Sequence, residues 1–70
     1  MTISLAQQID EVEREIRLRA GVYPRQVSSG KMRKSVAEYH MQRMEAALTT
    51  LRWLQDNEAK IKAMLGERAA

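Results

Sequence analysis

Apolar residues recur along the first third of the chain at helical spacing. Leu5, Ile9, Val12 and Ile16 are separated by four, three and four positions, and Tyr23 extends the line. At 100° per residue they fall in one narrow stripe, the mark of a helix buried along one face. Ser4 stands three residues ahead of Gln7, where a hydroxyl can cap one backbone N–H while an amide reaches back to another. Asp10 with Arg14, Glu13 with Arg17 and Glu15 with Arg19 are acid-before-base pairs at four-residue spacing on the polar side. The pattern predicts a helix over about residues 4–22.

Gly21 and Pro24 break this rhythm. Proline has no N–H to donate and disfavours helical geometry in the residue before it, so the first helix is expected to stop or kink at Tyr23. Pro24 also suits a first helical turn, which predicts a short helical bend over about 24–30 with Gly30 as a left-handed stop. Lys31 to Lys34 then form a basic connector.

A second cap signal, Ser35 with Glu38 three positions on, opens a stretch free of glycine and proline until Gly66. A long helix is expected over about 35–65. Ala37, Met41, Met44, Leu48 and Leu51 form its seam, widened by Ala47, Leu54, Ile61 and Leu65. Glu58 toward Lys62 and Asp56 toward Lys60 add exposed pairs. No strand alternation is visible. Two amphipathic helices joined by a tight bend predict an all-α antiparallel hairpin, one domain over residues 1–70. Leu5 to Ile16 should lie against Leu48 to Ile61, with Tyr23, Val27 and Met32 closing the bend over Val36 and Met41.

A hairpin leaves large side chains unused. Trp53 sits nearly opposite the seam on a helical wheel, and Tyr39, Ala46 and Trp53 are spaced by seven, with Met64 on the same side. Ile3 and Leu18 likewise face away from the first stripe. A tryptophan with neighbours at this spacing points to a second buried face, so Leu18, Tyr39, Ala46, Trp53 and Met64 are the self-association candidates. The other reading lays Trp53 flat on the hairpin under its own long side chains. Size favours association, because a chain of 70 residues without disulfide or metal builds only a small core. A homo-oligomer is expected, with a dimer favoured over a higher assembly.

Charge is segregated as well. Residues 1–13 carry three acids and no base, whereas residues 14–43 carry eight bases against two acids. A hairpin gathers that middle third at one end. Arg25, Lys31, Arg33 and Lys34 have few acids near them in sequence and are the candidates for binding a nucleic-acid backbone or another anionic surface. The alternative is that they are ordinary solvated charges. Aromatic content at the bend is limited to Tyr23 and Tyr39, so base stacking has little support.

Composition removes other classes. With 30% charged residues and no cysteine, the chain offers no disulfide, thiol nucleophile or thiolate metal site. No apolar run is long enough for a membrane span or a signal-peptide core. His40 is alone, which leaves no zinc site, and its place beside Tyr39 reads as partly buried packing. Met32, Met41, Met44 and Met64 read as core at helical spacing. Ser28-Ser29-Gly30-Lys31 lacks the first glycine and the following hydroxyl of a phosphate loop. No cofactor and no catalytic residue are expected.

The run Tyr23-Pro24-Arg25, Val27, Ser29-Gly30-Lys31-Met32, Ala37-Glu38-Tyr39-His40, Met44, Ala47, Thr50-Leu51-Arg52-Trp53-Leu54 and Asn57-Glu58 resembles small proteins encoded in phage and prophage regions of bacterial genomes. The likeness runs from Leu5 to about Ile61. It implies only a setting, the cytoplasm of a bacterial host carrying a phage or integrated element; for an interaction protein in that setting, a phage or host protein is the expected further partner. It implies no activity.

Overall fold

In a computed structural model the chain folds into two helices, α1 (Leu5–Ser28) and α2 (Lys34–Ala69). The structure describes residues 2–69, with side chains to residue 66. The helices run antiparallel: Glu13 on α1 meets Arg52 on α2 at 3.2 Å, and the Tyr23 ring lies 6.4 Å from that of His40. These pairs place residue i of α1 level with about residue 64 − i of α2. Leu5 therefore reaches only to about residue 59, and the last ten or so residues of α2 project some 15 Å beyond it at 1.5 Å per residue. The hairpin measures 58 × 23 × 17 Å.

Ser4 starts α1 as its spacing implies. Its hydroxyl accepts from the Gln7 backbone N–H at 3.1 Å, and the Ser4 N–H donates to the Gln7 side chain at 2.9 Å. The first helix does not end at Tyr23, however. It runs unbroken through Pro24 to Ser28, so the separate bend over 24–30 is absorbed into α1. Proline removes the hydrogen bond to the Ala20 carbonyl and crowds it. Two contacts flank the proline without replacing that bond. Arg25 Nε donates to the neighbouring Gly21 carbonyl at 3.1 Å, and helical geometry at Tyr23 keeps its ring against His40.

Gly30 supplies the stop. Its φ of 78° is left-handed, its N–H donates to the Val27 carbonyl at 3.1 Å, and the Lys31 N–H donates to Gln26 at 2.9 Å. These two bonds satisfy carbonyls that the helix end would otherwise leave open, the pattern of a Schellman motif. The second helix begins two residues earlier than its cap signal implies. The Arg33 carbonyl takes the first helical bonds, from Val36 and Ala37, each at 3.1 Å. Ser35 thus lies inside the first turn rather than capping it, and Glu38 pairs with Lys34 instead, at 3.9 Å.

Ile9, Ala37 and Leu48 are the buried hydrophobic residues, and no described side chain is fully enclosed. Leu5, Val12, Ile16, Met41, Met44, Leu51, Leu54 and Ile61 are half-buried along the seam. Two seam assignments and one at the bend fail. Val36 and Leu65 stand exposed, as does Ala47. Val36 turns out because Ala37, one residue on, takes the inward position; Leu65 lies in the overhang, where α1 no longer faces it. Arg14 pairs with Glu11 at 3.4 Å rather than with Asp10, while the Glu13–Arg17, Glu15–Arg19 and Glu58–Lys62 pairs form as spaced.

Candidate functional site

Two surfaces hold the residues that the hairpin itself does not use. The first is the outward face of α2. Trp53 is 58% exposed and Tyr39 56%, about 21 Å apart along the axis at 1.5 Å per residue. Ala46 lies exposed between them, and Met64 continues the face into the overhang. Leu18 on α1 is half-exposed. All five association candidates therefore reach the surface. Sequence reasoning placed Leu65 in the seam and did not single out Val22, yet both add to the exposed apolar area.

Polar neighbours on this face are already bonded inward. Thr50 Oγ1 donates to the Ala46 carbonyl at 3.2 Å, Thr49 Oγ1 to Glu45 at 3.0 Å, and Asn57 Nδ2 to Trp53 at 2.8 Å. Covering the face would leave these donors satisfied, which lowers the cost of drying it. The Arg43 guanidinium sits 5.2 Å from the centre of the Tyr39 ring and supplies the one cation–π contact among the described residues. His40, half-buried between Tyr23 and Tyr39, acts as packing.

The second surface is the bend. Arg25, Lys31, Arg33 and Lys34 are all exposed at the same end of the hairpin. Among the described residues, Arg25, Lys31 and Arg33 enter no ion pair, although Arg25 donates to Gly21 as above. Lys34 pairs loosely with Glu38, and a pair this exposed adds little. By contrast Arg14, Arg17 and Arg19 are each engaged by an acid on α1. Beside the cations lies a groove of about 450 Å³ lined by Ala20, Tyr23, Val27, Ala37 and Met41, with Lys34 and Glu38 among its charged walls. The small side chains of Ala20 and Ala37 leave this space, a consequence of α1 continuing past Pro24 that spacing alone did not reveal.

No family model matches the chain, and neither does any of the curated proteins or solved structures compared with it. The site must therefore be read from its own chemistry. Among the described residues no three His, Asp or Glu side chains group as metal ligands, and no helix is long and apolar enough to cross a membrane.

Proposed function

We propose that this chain is a non-enzymatic, self-associating helical interaction module that works by binding protein through the outward face of α2. The observation that carries this reading is an inversion of size and burial. The chain's single tryptophan is more than half exposed, while among the described residues only Ile9, Ala37 and Leu48 are buried. Monomeric proteins rarely leave their largest apolar side chains in water as a connected face. The resemblance to phage and prophage proteins supports an accessory role in a bacterial host cytoplasm, with a phage or host protein engaged in turn.

Trp53 is also the probe, since no other indole is present. Its emission should shift to the blue as concentration rises, in step with the mass from sedimentation equilibrium. Trp53→Ala should lower the association state while circular dichroism still reports helix. A wild-type chain that stays monomeric up to millimolar concentration overturns the reading.

A second reading is favoured by the unpaired cations at the bend: an accessory that contacts a nucleic-acid backbone. Affinity for DNA should then fall steeply with salt and drop when Arg25, Lys31, Arg33 and Lys34 are neutralised together. Binding absent at low salt excludes it.

A further inference from the structure

We infer that the groove at the bend is a docking site for an acidic segment of another protein, which seats a bulky apolar side chain between the helices and sets its carboxylates against the connector. The site lies between α1 and α2, apart from the outward face of α2, and does not rest on the self-association proposed above.

The floor of the groove is Ala20, Tyr23, Val27, Ala37 and Met41. Its volume of about 450 Å³ lies within the range of binding clefts. The one hydroxyl on this floor, that of Tyr23, accepts from Arg19 Nη1 at 3.5 Å, and Arg19 is itself held by Glu15 at 3.4 Å. Such a floor offers little to a phosphate or a sugar and much to a side chain such as Leu, Phe or Trp. Its walls come from two helices alone, so one side stays open. A small amphiphile would keep that side in water, whereas a protein segment brings its own body as the cover.

Charge selects the segment. Along the walls the charges cancel in pairs, Arg19 with Glu15 and Lys34 with Glu38. The surplus stands at one end. Residues 29–33 join Ser28 to Lys34, both of which line the groove. This connector carries Lys31 and Arg33, which are exposed and enter no ion pair among the described residues. Glu38 is the only acid between residues 16 and 44. An occupant therefore meets apolar surface along the groove and uncompensated positive charge where the groove ends. Arg25 belongs to neither part: it lies about 150° around α1 from Ala20 and Val27, and its Nε donates to the Gly21 carbonyl. An apolar anchor supplies the affinity of such a contact, and opposed charge supplies its orientation and choice of partner.

Selection from a random dodecapeptide display library against the full chain tests this directly. Enriched peptides should combine at least two Asp or Glu with one bulky apolar residue. A synthetic copy of the strongest should bind in fluorescence anisotropy, with an affinity that falls as salt rises. Ala20→Leu fills the groove from an exposed helical position at little cost to the helix. It should weaken the peptide by about tenfold or more while circular dichroism is unchanged. Lys31→Gln with Arg33→Gln should weaken it about fivefold, whereas Arg25→Gln leaves it as it was. Glu38→Gln removes the acid beside Lys34 and should tighten it. No enrichment, or enrichment of peptides that are basic or lack an apolar residue, overturns the proposal. Binding that survives Ala20→Leu overturns it too, and its loss on Trp53→Ala would then move the peptide to the outward face of α2. A lower sedimentation mass of Ala20→Leu alone would give the groove to a second copy and likewise overturn it.

Discussion

The inward and outward faces of α2 are built on opposite plans. The inward face is lined by Ala37, Met41, Met44 and Leu48, side chains of small or adaptable shape that let α1 approach. The outward face carries the two bulky aromatics, Tyr39 and Trp53, with Ala46, Thr49 and Thr50 between them. A self-sufficient hairpin would place its bulk inside. Here the inward face is enough to define the fold's direction and register, while the bulkiest side chains lie on the side that faces away. Under the proposed function, folding and assembly are divided between two faces of one helix.

The sharpest way to break this division is a charge on the inward face. Leu48→Asp would bury a carboxylate with no partner, and a core of this size supplies only about 3–5 kcal/mol in total. Loss of the helical circular-dichroism signal is expected, and a variant that melts like the wild type would refute the inward placement. The same kind of change outside should behave differently. Trp53→Ala is expected to cost about 2 kcal/mol of association, roughly thirty-fold in dissociation constant, as an anchor residue does. An unchanged sedimentation profile would remove this face from the interface.

Two glycines sharpen the comparison further, because the turn at Gly30 determines which face of α2 meets α1. Gly30→Ala forces a side chain onto a left-handed residue and should destabilise by about 1 kcal/mol. Gly21→Ala adds a methyl to a helix interior with nothing within 4 Å and should stabilise by about 0.8 kcal/mol. Thermal melts should move in opposite directions; a shared sign would contradict the turn. The smallest effect is expected at the ion pair that crosses between the helices. Glu13→Gln removes the carboxylate that meets the half-exposed Arg52, and the change should stay under about 1 kcal/mol. A larger loss in the melt would mean that charge, not packing, sets the register.

Much of the fold was legible because helical spacing reports burial directly. Leu5, Ile9 and Leu48 declare their faces by period, Ser4 and Gln7 their cap by separation, and Gly30 its conformation by lacking a side chain. The exposure of Trp53 was legible for the same reason: a wheel that puts it opposite the seam also puts it at the surface. Pro24 was misread because its steric penalty is local, whereas the contact that holds that turn helical, Tyr23 on His40, comes from the other arm. Ser35 was misread because its cap spacing competes with a carbonyl two residues earlier, and the helix chose Arg33. The groove at the bend had no signature, since empty space arises from the pairing of Ala20 with Ala37 and belongs to neither segment alone.

Both arms leave the same turn, and this gives the molecule a polarity in time as well as in space. Tyr23 and His40 are separated by 17 residues, Glu13 and Arg52 by 39. The loop that must close therefore lengthens steadily toward the open end, at about 0.6 kcal/mol of entropy for each doubling. Zipping starts beside Gly30 and ends at Leu5, and unzipping retraces that path. Amide protons near the turn are then the slowest to exchange with solvent, and those of the first turn of α1 among the quickest.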